Sequence, residues 1–369
     1  MKQSGRVWNQ TLNDAMLSWG FSRLSAENCI YFRKRESGTT IAVVHVDDFL
    51  SVSSSKEENE SFKSQMRSKW TISDLGEAKF CVGIAIVRDR NNRTISLSQT
   101  ALIDKLIAQF GQSESNPVAT PMDPGLKLSQ PDHSTLSDEE KSELAKLPYR
   151  SLVGGLIYLA IGTRADIAYA VQQLSQFLNC YSFVHWNAAI HVLRYLKGTR
   201  IFRLVLGGTN NVQLLGFSDS NWANCPDSRR SISGYTFSLG SGVTSWSARK
   251  QKMVAASSCE AEYMAAFEAT KEALWLRQLL NGIGISPPTA TPIMCDNNAA
   301  RAISEDPLLH ARVKHMDIKY HFLRENVQSD KVTLQYIPTK DNIADILTKP
   351  LERQKFSRLR TFLGLHDAP

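Results

Sequence analysis

The sequence predicts a mixed α/β fold, and three observations carry that prediction. Short apolar runs of strand length alternate with helix-periodic runs through the last third of the chain. Near the start, TIAVVHVDDFLSVSSS (40–55) is apolar on both sides of an Asp-Asp pair, the pattern of a hairpin. The composition, 42% hydrophobic and 21% charged, is that of an ordinary globular chain and excludes disordered and fibrous classes. With 369 residues there is length for two or three units, each with its own core.

Other classes fall away on the same grounds. No apolar run reaches the roughly 20 residues that span a bilayer, and the opening MKQSGRVWNQTLNDAM lacks the apolar core of a signal peptide, so no membrane partner is expected. Cys29, Cys81, Cys180, Cys225, Cys259 and Cys295 include no CxxC pair, which argues against a zinc ribbon or a dense disulfide framework. They predict reduced, mostly buried thiols in an intracellular chain, with cytoplasm and nucleus not separated. A net charge of +7 permits contact with nucleic acid without compelling it.

Taken in order, residues 1–110 contain the hairpin. Residues 111–150 are rich in proline and carry seven acidic against four basic residues, which predicts an extended, exposed linker. Residues 151–210 reverse that balance, with five basic and one acidic, and read as two helices, SLVGGLIYLAIGTRADIAYAVQQLSQFLNC and a span around HWNAAIHVLRYLKGT. After the hinge GGTNN, residues 211–350 read as strands FSDS, YTFSLG and VTSWSA, and then a long helix from near Ser257. A strand IMCD, helical spans around NNAARAIS and KHMDIKYHFLRENV, a strand VTLQYIPT and a final helix after Asp341 follow. Residues 351–369 are expected to be a tail.

Acidic residues fall at the ends of these elements. Asp47 and Asp48 sit at the bend of the hairpin, where two carboxylates repel each other unless a cation offsets them; an Asp-rich turn explains them equally well. In the last third, Asp219 lies in the opening strand between Ser218 and Ser220. In the long helix, Glu262, Ala266, Ala269, Ala273, Leu276 and Leu280 follow steps of three or four and mark the packed face. Glu260, roughly 200° round, falls with Lys271 and Gln278 on the expected wet side. Asp296 ends the IMCD strand, where it can aim over the sheet edge or cap the next helix. Asp345 faces inward from the last helical turn, while Asp341 has the simpler capping reading. Converging, Asp219, Glu262, Asp296 and Asp345 need a cation.

At this point the chain resembles a known family. HVDDFL is similar to the YxDD box of reverse transcriptases, and MKQSGRVWNQTL to the GLKQxxRxW box of copia-type retrotransposon polymerases. DLGEAKFCVGIAI, PVATPMDP, LVGGLIYLAIGTRADIAYAV and HWNAAIHVLRYLKGT resemble, in order, later stretches of the same Pol polyprotein. The resemblance implies a truncated reverse-transcriptase palm (1–110), a linker (111–150), a helical thumb or connection region (151–210) and a ribonuclease H-like mixed five-stranded sheet with packed helices (211–350). It departs from the family in two places. His45 stands where relatives carry Tyr, and the first metal-binding aspartate of the family lies upstream of the KQ box, ahead of Met1. Asp47 and Asp48 are therefore expected to be a vestigial polymerase metal site, with Lys2 and Gln3 vestigial beside it and independent polymerisation absent.

For the last third, the resemblance implies hydrolysis of the RNA strand of RNA–DNA hybrids. Asp219, Glu262, Asp296 and Asp345 would be its catalytic and metal-binding acids, with two Mg²⁺ ions, replaceable by Mn²⁺. The expected partners are an RNA–DNA hybrid and the N-terminal part of Pol. Arg229 and Arg230 (DSRRSISG), and Arg249, Lys250 and Lys252 at the turn after the third strand, are expected to track phosphates, with a solvated turn as the simpler reading. IPTKDN lacks the histidine that cellular relatives carry before the last acid, and His315 and His321 read as structural. Trp222, Trp246 and Trp275 are expected in or near the core. The competing reading is a catalytically inactive or decayed transposon fragment that keeps only nucleic-acid binding.

Overall fold

The structure, a computed structural model, describes residues 3–209, 212–298, 301–302 and 317–367. They form two compact units, Met1–Ala78 with Leu274–Pro288, and Lys79–Ala273 with Thr289–Pro369.

In the first unit, helix α1 (Ser4–Ser18) precedes strands β1 (Ser22–Arg23), β2 (Ile30–Arg35), β3 (Gly38–His45) and β4 (Asp48–Ser53), and helix α2 (Lys56–Lys69) follows. The strands form an antiparallel sheet in sequence order. Leu12, Ala15 and Met16, at helical spacing, are the buried residues of α1, and Leu12 and Met16 pack with Phe21, Tyr31, Ala42, Val44, Phe62 and Met66. Ser55 caps α2 by accepting from Glu58 N at 3.1 Å. The Glu58 carboxylate is buried and pairs with Arg33 at 2.9 Å, while Ser37 donates to its other oxygen at 2.5 Å. The Ser37 hydrogen bond and the Arg33 guanidinium together hold Glu58 below the usual carboxylate range, against the opposing effect of burial.

The second unit begins with β5 (Phe80–Cys81), β6 (Ile84–Asp89), β7 (Thr94–Ser98) and α3 (Thr100–Gln109). Helices α4 (Asp138–Lys146), α5 (Tyr149–Gly162), α6 (Ala168–Ser175) and α7 (Phe183–Gly198) come next, then β8 (Phe202–Gly207). The chain continues through β9 (Leu214–Asn221), β10 (Ile232–Leu239), β11 (Val243–Lys250), α8 (Ser258–Gly282), β12 (Thr291–Cys295), α9 (Asp317–Gln328) and β13 (Val332–Tyr336). It closes with α10 (Arg353–Phe362) and β14 (Leu365–Asp367). One sheet has the order β11-β10-β9-β12-β13, with β9 to β11 antiparallel and both β9–β12 and β12–β13 parallel. This is the mixed five-stranded sheet with packed helices that the ribonuclease H resemblance implies. The other has the order β14-β8-β7-β6-β5.

Several elements differ from the sequence reading. Residues 351–367 are folded where a tail was expected: Phe356, Leu359, Leu363 and Leu365 are buried, and β14 pairs with β8. Residues 80–98 leave the expected palm and join that same sheet, because Leu97 finds its partner in Leu204 of β8. The expected linker holds α4, started by a capping box between Ser137 and Glu140. The long apolar helix expected from Ser151 breaks at Arg164, which is buried and bound to Asp166 at 2.8 Å and to Thr199. The final helix after Asp341 is instead two 3-10 turns, Thr339–Asp341 and Ile343–Leu347.

Only Cys225 and Cys295 are buried, and all six cysteines are free. The span Asp138–Gly162 is apolar enough on average to be a membrane candidate. It is divided at Pro148 into α4 and α5, and α5, at 14 residues, is about 21 Å long, short of a hydrocarbon core. Half of the NNAARAIS span (299–300 and 303–304) and the start of KHMDIKYHFLRENV (314–316), with His315, lie outside the described residues.

Candidate active site

The site is built on β9. Its residues Ser218, Asp219 and Ser220 are all buried, as expected for a central strand between β10 and β12. Glu262 lies on the second turn of α8, on the face that continues through Ala266, Ala269 and Ala273. Its Oε1 accepts from Ser220 N at 3.1 Å. Asp296 follows the last residue of β12, where the parallel pairing with β9 carries the chain toward the same end of the sheet. Asp219, Glu262 and Asp296 meet there, each with one oxygen within 4.8 Å of the others, the only such group among the described residues.

Asp345 is fully buried but does not join that group. Its Oδ1 is 2.7 Å from Lys349 Nζ, its Oδ2 pairs with Lys355, and Lys349 Nζ is also 3.6 Å from Asp219 Oδ2. The fourth acid is thus connected to the cluster through a shared ammonium group. The 342–349 segment is fastened to β9 by three hydrogen bonds: Asn342 donates to Ser218 O at 2.9 Å, Thr348 Oγ1 donates to Asp219 Oδ2, and Asn221 donates to Thr348 O at 3.5 Å. Gly234, opposite Asp219 on β10, makes this approach possible. A Cβ there would stand 2.8 Å from both Leu347 Cβ and Thr348 Cγ2.

The charges respond to this crowding. Burial raises the Asp219 carboxyl, and Asp345 and Asp296 add to the effect, while Lys349 and Thr348 oppose it. Burial likewise raises Glu262, reinforced by Asp219 and Asp296. Burial pulls Lys349 down, but Asp219 and Asp345 more than offset it and hold the ammonium above its ordinary value. Glu262 Oε2 is buried and has no protein hydrogen-bond partner. A hard, all-oxygen donor set with an orphaned carboxylate oxygen fits a divalent cation of the Mg²⁺ kind.

Other expected residues lie elsewhere. Asp47 and Asp48 are exposed at the β3–β4 turn, which Trp8 anchors by donating to Val46 O at 2.8 Å. No third carboxylate joins them in a metal-sized group among the described residues. Arg229 and Arg230 are exposed on the β9–β10 loop. Arg249 and Lys250 belong to the end of β11 and not to the turn after it, because β11 keeps pairing with β10 as far as Ile232; Lys252 follows beyond the strand. His321 is exposed on α9, beside Arg324 at 3.1 Å. Trp222 and Trp275 are exposed by 47% and 37%, contrary to their expected core positions, because each ring is fastened at its rim by an indole N–H donating to a carbonyl, of Ala255 and Ala26 respectively. Trp246 is partly buried against the core.

Glu260 also departs from expectation. It is 5% exposed, its Oε2 accepts from Ala256 N at 2.7 Å, and its own N–H donates to Ser257 Oγ. The reason is that α8 is enclosed all round through residues 260–266, so helical phase alone does not bring Glu260 to water. The S-x-x-E spacing of Ser257 and Glu260 was the available signal for a helix start. Lys349 and Lys355 were missed as well. The four-residue step from Asp345 to Lys349 was their only local mark.

Residues 1–124 match the reverse transcriptase (RNA-dependent DNA polymerase) family. The retrovirus-related Pol polyprotein from transposon TNT 1-94 of Nicotiana tabacum is 37% identical over 368 residues, 100% of this chain and 28% of that protein. A transposon Ty5-1 protein of Saccharomyces cerevisiae is 32% identical, over 74% of this chain and 86% of that one. The chain therefore spans about a quarter of the Pol polyproteins it matches, 28% for TNT 1-94 and 24% for RE1 of Arabidopsis thaliana. Among solved structures, RNase H1 of Halobacterium salinarum is 18% identical, over 37% of this chain and 94% of that one, with a TM-score of 0.27. At that score the strand order of the sheet, and not the superposition, carries the fold. The blocks that run in order from the KQ box to the last acid, and the identity with a relative covered over most of its length, make this chain a member of the copia-type retrotransposon Pol family.

Proposed function

We propose that the chain is a divalent-metal-dependent ribonuclease H that cuts the RNA strand of RNA–DNA hybrids. The observation that carries this reading is the meeting of Asp219, Glu262 and Asp296 around a buried, unpartnered Glu262 oxygen. These three residues would hold Mg²⁺, or Mn²⁺ in its place; when bound, such an ion activates water and polarises a phosphoryl oxygen. Ser220 N–H fixes one oxygen of Glu262 and leaves the other for the ion. Thr348 sets the rotamer of Asp219. Asp345 acts through Lys349, keeping the ammonium beside Asp219. Arg229, Arg230, Arg249, Lys250 and Lys252 are proposed to contact phosphates, with recognition by shape and 2′-hydroxyls in place of base sequence. The proposed partners are the hybrid itself and, within a longer Pol, the polypeptide N-terminal to this segment.

The test is cleavage of a labelled RNA–DNA duplex by purified chain. RNA products should form with Mg²⁺ or Mn²⁺, disappear with chelator, and collapse in Asp219→Asn or Asp296→Asn while folding persists. Hybrid binding without metal-dependent product would establish the binding-only fragment instead. No cleavage by a folded, metal-loaded chain would sink the enzyme reading.

A further inference from the structure

The ribonuclease H resemblance implies two metal ions, yet the ion pairs around Asp345 leave coordination for one. Both oxygens of Asp345 lie in ion pairs, Oδ1 with Lys349 at 2.7 Å and Oδ2 with Lys355, and only Oδ2 also accepts a hydrogen bond. A second ion bridging Asp219 and Asp345 would have to strip both ammonium groups from a carboxylate that is fully buried. Displacing them would break both ion pairs of that carboxylate at once, and the pair between Lys349 and Asp219 with them. Neither lysine is a loose surface side chain: Lys349 is held from two sides by Asp219 and Asp345, and Lys355 also donates to Thr339 O at 3.3 Å.

The contacts divide the cluster in the same way. Glu262 and Asp296 make no ion pair with either lysine, and the buried Glu262 Oε2 has no hydrogen-bond partner, whereas Asp345 and the Asp219 oxygen nearest it face Lys349.

We propose that this site takes one divalent ion, among Asp219, Glu262 and Asp296, and that Lys349 stands permanently as its second cation. The inference rests on the ribonuclease H reading and deepens it. Lys349 is a positioning residue here: it fixes the number of ions by occupying the Asp219–Asp345 flank, and it supplies there a positive charge that does not depend on metal concentration.

The experiment counts ions instead of products. Mn²⁺ bound by the full chain is measured by electron paramagnetic resonance and equilibrium dialysis, with Asp219→Asn/Asp296→Asn as the baseline for adventitious surface binding. Wild type should hold one Mn²⁺ per chain above that baseline. Lys349→Met should hold two, because the flank is then vacant and its charge uncompensated, and Lys349→Arg should return to one. Two ions in wild type, or one in a folded Lys349→Met, would overturn the proposal, and the wild-type count alone decides the matter if Lys349→Met does not fold. Hybrid cleavage run on the same samples separates the two levels. Cleavage with two ions bound refutes this inference and leaves the ribonuclease H reading intact, whereas no bound ion and no cleavage refutes both.

Discussion

Gly234→Ala adds one methyl group to β10, which contributes none of the clustered carboxylates, yet it should disable the site. The backbone at Gly234 lies outside the left-handed region, so only space is at issue. The new Cβ would stand 2.8 Å from Leu347 Cβ and from Thr348 Cγ2, and 3.3 Å from Ala344 O. Ordinary carbon separations begin at about 3.5 Å, so the 344–348 turn must retreat by about 0.7 Å. Ala344, Leu347 and Thr348 are all buried, which leaves no flexible tip to absorb the shift. Overpacking of this kind costs about 1–3 kcal/mol of stability. The same retreat pulls the Thr348 hydroxyl from Asp219 and moves Lys349, and a displacement approaching 1 Å can cost roughly a hundredfold in rate. Denaturant unfolding and initial rates of hybrid cleavage measure the two effects, and Thr348→Val, which removes the hydroxyl at nearly constant volume, isolates the second. A Gly234→Ala chain with unchanged midpoint and unchanged rate would refute the claim that this turn positions Asp219.

Three further outcomes are expected. Glu262→Gln should lower hybrid cleavage by at least about a hundredfold by weakening the ion's ligand set, whereas Glu260→Gln should leave the rate within a few-fold and cost about 1 kcal/mol through its weakened cap on Ala256 N; parallel rate and unfolding measurements would expose equal rate losses as a contradiction. Glu58 ionises below its ordinary value of 4.5 in the folded chain, so its contribution is complete above that pH and is lost as pH falls through the depressed value. Acid unfolding monitored by circular dichroism should show a pH slope in that window that Glu58→Gln flattens, and an unaltered slope would remove the pair from the account. Finally, Asp47 and Asp48 have no third carboxylate in reach among the described residues, so this chain given primer, template, dNTPs and Mg²⁺ should not extend the primer; extension abolished by Asp48→Asn would show that they act.

The parts of the site that could be read in the sequence are those where a local pattern determines the environment. Asp219 in a strand of small and apolar residues, Glu262 in phase with a row of alanines and Asp296 at the end of IMC each carry their position in their neighbours. Glu260 was misplaced because helical phase distinguishes faces only where one face meets water, and the start of α8 is covered all round. The lysines escaped notice because their partner, Asp345, was assigned to the metal, and nothing in a linear sequence says which cation a buried carboxylate will take. Gly234 had a signal in retrospect, since a glycine inside the run SISGYTF marks a close approach by another segment. The closing helix and strand were overlooked because α10 is strongly basic on its outer face, and its buried Phe356 and Leu359 are only two residues.

The first unit has a consequence for synthesis. Its residues up to Ala78 are completed by Leu274–Pro288, where Trp275 donates to Ala26 O, Gln278 donates to Ser25 and Gly282 admits the Leu24 side chain. A ribosome that has released residue 78 must still add about 200 residues before that edge can close, roughly 10–40 s at ordinary elongation rates. During that interval the hairpin, its Arg33–Glu58 pin and α1 must persist without their last neighbour or wait in contact with a chaperone. A nascent chain halted before residue 274 is therefore a different folding problem from the finished one, even though the halted chain already contains the whole of the β-hairpin sequence.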